Sequence, residues 1–153
     1  MTAKLQPFAV APSLMREWQR TQMALAQAAN FEPTLTELVK LRASQINGCA
    51  NCINLHAPEA REKGESEQRI YLLPAWREAP CYTERERAAL AWAEALTHIG
   101  PEAAPDELYA EVRRHFSEEE MVKLSLAIAV INSWNRLMIG FRVPPQVAAE
   151  KSR

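Results

Sequence analysis

The sequence predicts an all-α single domain spanning residues 1–153, a bundle of six to eight helices. Three observations carry this. Only 4 of 153 residues are glycine, and Ala, Leu, Glu and Arg dominate. β-branched residues are sparse and no alternating run reaches strand length, so the apolar periodicity is helical throughout. Two Ser/Thr-x-x-Glu boxes, Thr83–Glu86 and Ser117–Glu120, mark helix starts.

Element by element, Ser13 can cap a helix to about Asn30, with Leu14, Trp18, Met23, Leu25 and Ala26 as its apolar positions. After Pro33, Thr34 or Thr36 can cap a second helix carrying Leu38, Val39, Leu41, Arg42 and Ile46. Asn47-Gly48 closes it, because both residues tolerate a left-handed backbone. A third helix begins near Cys49 and runs toward Lys63-Gly64, with Pro58 removing one internal amide bond and bending it. A short helix fits Ser66 to Leu73 and stops at Pro74. The Thr83 box starts a helix to about Thr97, and Asp106 can cap another through His115. The helix after Ser117 is apolar on nearly all sides, which predicts burial. Pro144-Pro145 ends any helix that reaches it, and the Glu150–Arg153 tail should fray.

Composition excludes several functions. With 18 basic and 19 acidic side chains the net charge is -1, which argues against nucleic-acid binding and polybasic membrane attachment. The late apolar run Leu124–Asn135 is too short for a bilayer, which needs about 20 residues. The N-terminal stretch, broken by Pro7 and Pro12, lacks the segments of a secretion signal. A cytoplasmic protein is expected. In that reducing setting three cysteines do not make a disulfide framework, so a specially spaced pair points to redox or metal chemistry.

That pair is Cys49 and Cys52, followed by His56. At about 100° per residue the three side chains share an arc of about 60° on one helix face. Cys49 sits at the helix start, where free amides and the dipole favour a thiolate. An imidazole one turn beyond Cys52 can take up a thiol proton, and two thiols at this spacing can close a disulfide. Glu37 lies twelve residues before Cys49; if Asn47-Gly48 reverses the chain, its carboxylate comes beside His56 and orients the ring. A zinc site of two Cys, His and Glu is the competing arrangement, although structural zinc normally draws on two separate ligand pairs. Cys81, before the Thr83 box, has no partner at chemical spacing and suits a small buried or half-buried loop residue. His98 and His115 sit near helix C-termini as structural cations. The four tryptophans suit core or subunit-interface anchors, and Arg136 and Arg142 suit either a partner carboxylate or plain surface.

Glu37, Cys49, Cys52 and His56 together match a Glu…Cys-x-x-Cys-x-x-x-His pattern. With Ala60–Glu65, Ile131–Arg136 and Phe141–Pro145, the sequence resembles the alkylhydroperoxidase D family, within the carboxymuconolactone decarboxylase superfamily, over about residues 32–145. The resemblance implies an AhpD-like helical bundle that forms homotrimers or homohexamers. It implies a hydroperoxide or disulfide reductase without metal or organic cofactor, drawing electrons from a thiol donor or a redox partner protein. It implies that Cys52 attacks the peroxide, Cys49 resolves the sulfenic acid, and His56 with Glu37 relays the proton. The helix-end argument instead makes Cys49 the more acidic thiol, so both assignments stand at this point. Well-known members carry a second His where this chain has Asn51, which does not shuttle protons at neutral pH. A non-catalytic redox adaptor or sensor is the alternative of another class. Lactone decarboxylation, known in the wider superfamily, is disfavoured by the cysteine pair.

Overall fold

A computed structural model describes residues 3–101 and 104–147. The chain forms α1 (Pro7–Val10), α2 (Pro12–Ala29), α3 (Pro33–Asn47), α4 (Ala50–Glu62), α5 (Glu67–Leu72), α6 (Glu84–His98), α7 (Asp106–His115) and α8 (Glu118–Gly140). A 3-10 turn, Leu73–Ala75, follows α5, and the described residues contain no strand. The fold is therefore the expected all-α bundle. The Glu150–Arg153 tail lies outside the described residues.

Proline sets the early starts more than hydroxyl caps do. Pro12 and Pro33 occupy the first turns of α2 and α3, where no amide partner is lost, and neither helix has a side-chain cap bond. Ser13, Thr34 and Thr36 thus fall inside helices rather than capping them; the Thr36 hydroxyl donates back to the Glu32 carbonyl at 2.8 Å. The short α1 has no counterpart among the helices expected from the sequence, and it also opens on a proline. Asp106 lies in the first turn of α7 after Pro105 rather than at its cap. Both capping boxes form as expected, with Thr83–Glu86 and Ser117–Glu120 bonded reciprocally.

α3 is the central rod. Leu38, Val39, Leu41 and Ala43 are all fully buried. Leu35 and Val39 join Trp92, Val112, Phe116, Leu124 and Ile128 in one cluster. Leu38 and Leu41 join Leu73, Trp76 and Leu90 in another. The third cluster holds Ala43, Cys49, Cys52, Ile131 and Met138, so the two sulfurs are part of the packing between α3, α4 and α8. A polar seam pins the same place. Asn47 donates to the side chains of Asn132 and Asn135 at 2.8 Å each, Asn132 donates to Thr97, and Asn135 donates to Ser44.

Two expectations need correction. Leu14, Met23 and Leu25 are exposed on α2, whose buried residues are Met15 and Gln22. α2 lies on the flank of the bundle and meets α8 through Trp18 against Trp134, and Met23 and Leu25, though exposed, line the groove between these helices. α8 is likewise open along one flank, at Val122, Leu126 and Ile139. Of the tryptophans, Trp76 and Trp92 are buried core residues with their indole nitrogens bonded to Glu94 and Ser125.

The α3–α4 reversal rests on Gly48 at φ 69, with open space where a Cβ would stand. Backbone strain alone then decides the effect of a side chain. Gly48→Ala should cost about 1–2 kcal/mol of stability in urea unfolding. An unchanged midpoint would show that the turn does not hold this conformation.

Candidate active site

The reversal puts Cys49 at the N-cap of α4. Its amide donates to the Ser44 carbonyl at 2.9 Å, which ties the cap to α3. Its sulfur accepts the Cys52 backbone N–H at 3.4 Å, in the place a serine or aspartate oxygen usually takes. Both sulfurs are free thiols, and both residues are buried.

The pair is electrostatically unequal. A hydrogen bond from the Cys52 thiol does most to lower Cys49; burial opposes it; the Cys52 amide, Asn135 and the charge of His56 add to it. The net result brings Cys49 from 9.0 down to about 7. Cys52 moves upward, because it donates to Cys49, is buried, and faces the charge on Cys49. These directions favour the thiolate at Cys49 and the protonated thiol at Cys52.

The expected carboxylate contact is present. The Glu37 side chain is fully buried on α3, and its Oε2 lies 3.0 Å from His56 Nδ1. Burial would raise the Glu37 pKa, but the His56 bond, the charge of Lys40 and bonds from Lys63 and Lys40 outweigh it and hold it at about 2. A second carboxylate, Glu59 Oε2, approaches the same ring nitrogen at 2.8 Å. Carboxylates only accept here, so Nδ1 carries a hydrogen toward Glu37 and Glu59, and Nε2 is the ring nitrogen they leave unengaged. No hydrogen bond among the described residues joins His56 to a sulfur. The ring and Cys52 instead line one groove of about 600 Å³ between α2, α3, α4 and α8.

Glu59, Lys63 and Asn135 were not singled out from the sequence. Glu59 and Lys63 lie three and seven residues after His56, a spacing that places all three on one helix face and was available as a signal. Asn135 comes from α8, far along the chain from the cysteines, and entered the sequence reading only within the Ile131–Arg136 stretch, with no role attached. Asn51 points elsewhere: its Nδ2 donates to the Pro144 carbonyl at 3.0 Å, so it tethers the segment after α8. Cys81 is half-buried in a loop, as expected, and its carbonyl accepts from Arg69.

Glu37, His56 and Glu59 place three donor atoms within 4.8 Å of one another, a spacing a metal ion could use. The sulfurs are not part of that group, so the two-Cys, His and Glu zinc arrangement is not assembled. Two ammonium groups already neutralise Glu37: Lys40 at 2.9 Å and Lys63 at 2.5 Å. The cluster suits proton handling better than cation binding.

Residues 12–95, which contain the whole constellation, match the model of the carboxymuconolactone decarboxylase family. The chain belongs to that family. Its relatives include the uncharacterised protein YdfG of Bacillus subtilis (strain 168), 44% identical over 139 residues, 91% of this chain and 94% of the relative. The uncharacterised YnjA of Escherichia coli (strain K12) is 26% identical over 116 residues, 76% of this chain and 63% of YnjA. A crystal structure from Agrobacterium tumefaciens, of a protein of unknown function suggested to be the antioxidant defence protein AhpD, superposes with a TM-score of 0.91 at 41% identity. It covers 96% of this chain and 100% of that one. The debrominase Bmp8 superposes with a TM-score of 0.71 at 22% identity, over 84% of this chain and 70% of its own, and shares the fold. This carboxymuconolactone decarboxylase family member thus has a full-length structural counterpart for its bundle. Among its described residues, no helix is long and apolar enough to cross a membrane.

Proposed function

We propose that this chain is a hydroperoxide reductase and thiol–disulfide oxidoreductase whose redox groups are Cys49 and Cys52. The observation that carries the reading is a pair of buried free thiols of which Cys52 lines one groove with the Glu37–His56 pair, itself joined at 3.0 Å. In the cycle, the Cys52 proton shifts to Cys49 and leaves Cys52 as the thiolate lining the groove. Cys52 attacks the terminal oxygen of R–O–OH, the O–O bond breaks, and Cys52 becomes a sulfenic acid. The departing alkoxide takes a proton delivered through His56 and leaves as the alcohol. The Cys49 thiol then attacks the sulfenic sulfur; a disulfide forms and water leaves with the Cys49 proton. Glu37 holds the ring throughout and, at a pKa of about 2, does not itself take the proton near neutrality.

A disulfide formed in this way must be reduced by thiols, from a small donor or a redox partner protein, which suits a cytoplasmic setting. The test is peroxide consumption with a panel of thiol donors. Wild-type turnover with its loss in Cys52→Ser supports the reading, and equal rates in the two proteins contradict it. Rapid exchange with a partner disulfide without peroxide turnover would favour the adaptor.

The assembly is part of the proposal. Leu14, Met23 and Leu25 on α2, with Val122, Leu126 and Ile139 on α8, leave more apolar surface uncovered than isolated side chains explain. A homotrimer or homohexamer covers it. Light scattering at micromolar concentration should give one of those masses, and a monomer would contradict the assembly.

A further inference from the structure

The two cysteines, both buried, line different cavities. Cys52 lines the groove that holds His56 and Glu37. Cys49 lines a second cavity of about 520 Å³, walled by Gly48, Met138, Arg142, Val143 and the Pro144-Pro145 pair. Asn51 borders both, and its bond to the Pro144 carbonyl closes the partition between them. Asn54 makes a parallel bond to the Gln146 carbonyl, so residues 144–146 lie strapped along α4.

The second cavity carries a charge. Arg142 is exposed at its wall, held by a left-handed backbone at φ 54, and no described carboxylate pairs with it. A guanidinium beside a reactive sulfur attracts an incoming thiolate and can bind a carboxylate on the same molecule.

We propose that the Cys49 cavity is the entry site for the reductant, and that it takes a small thiol bearing a carboxylate, anchored by Arg142. This rests on the disulfide cycle above and adds a division of labour: oxidant at Cys52, reductant at Cys49. The donor thiolate attacks the Cys49 sulfur, the Cys49–Cys52 bond breaks, and Cys52 leaves with the electron pair. Cys52 is the more basic sulfur and leaves readily only if protonated, and the His56 relay lines its side of the pair. A second donor thiol attacks the donor sulfur of the mixed disulfide, losing its proton to solvent. Cys49 leaves as the stabilised thiolate, and the donor departs as its own disulfide.

The test starts from protein oxidised with diamide, so that it stands apart from any peroxide activity. Reduction is followed by stopped flow with 3-mercaptopropionate, 2-mercaptoethanol and cysteamine, each rate corrected for its thiolate fraction. The anionic donor should exceed the cationic one by about tenfold or more, and Arg142→Glu should reverse that order while Arg142→Lys preserves it. Rates that ignore donor charge, or an order that survives in Arg142→Glu, would overturn the site. A quench with an alkylating agent, then peptide mapping, locates the intermediate. The donor should sit on Cys49 with the alkyl group on Cys52, and the reverse pattern would overturn the division of labour. If diamide closes the disulfide and peroxide does not, the proposed activity fails while the donor site remains testable.

Discussion

Cys52→Ala should silence peroxide turnover and also raise the titration of the thiol it leaves behind. The first effect follows from losing the groove-lining nucleophile, for which no other described thiol in that groove substitutes; a drop of at least about a thousandfold is expected. The second effect tests the electrostatics. Cys49 is held at about 7 chiefly by the hydrogen bond from the Cys52 thiol. Without that donor, burial works against the thiolate with only the Cys52-position amide, Asn135 and His56 to offset it. Alkylation of Cys49 followed against pH should therefore move from a midpoint near 7 in wild type toward the ordinary thiol value of 9.0 in the variant. Measuring the same rate in Cys81→Ser backgrounds removes the loop thiol from the signal. An unmoved midpoint would mean that helix-end amides alone acidify Cys49, and that the Cys52 thiol does not donate to it.

Glu37→Gln should give the largest stability change of any site residue. Its carboxylate is fully buried and held at about 2, against 4.5 for an ordinary glutamate. A folded-state pKa below the unfolded one stabilises the fold wherever the unfolded carboxyl is ionised. The contribution is thus complete above about pH 5 and disappears as pH falls through 4.5 toward 2. The shift corresponds to about 3 kcal/mol. Glu37→Gln forfeits that stabilisation at pH 7 and leaves Lys40 and Lys63 without their partner. Both lysines can reach solvent, which limits the added penalty. Urea midpoints taken from pH 6 to pH 2 should fall more steeply in wild type than in Glu37→Gln, and parallel curves would contradict the assignment. Turnover should fall about a hundredfold as the ring loses its anchor.

The bundle was legible because helix signals are local. Capping boxes at Thr83 and Ser117 and the Asn47-Gly48 stop describe short stretches of chain, and each forms as expected. The same locality brought Glu37 to His56, since one tight reversal joins two adjacent helices. The features that the sequence did not disclose depend on distant packing. Whether Leu14 or Met15 is buried on α2 depends on how α2 leans on α8, and periodicity alone left the wrong side inward. Asn135 supports the cysteines from the far end of the chain through a seam of amides; the Ile131–Arg136 stretch contains it, but its contact with Asn47 and Ser44 depends on how α8 packs on α3. Asn51, which in the sequence stands only as a missing histidine, is a tether whose partner lies beyond α8.

The central claim is that Cys49 and Cys52 act as one redox unit. The most direct measurement is peptide mapping after one equivalent of an organic hydroperoxide is added to the reduced protein under denaturing quench. A single Cys49–Cys52 disulfide, with Cys81 still free, is the result expected. Both thiols recovered unmodified, or Cys52 recovered overoxidised with Cys49 untouched, would contradict it.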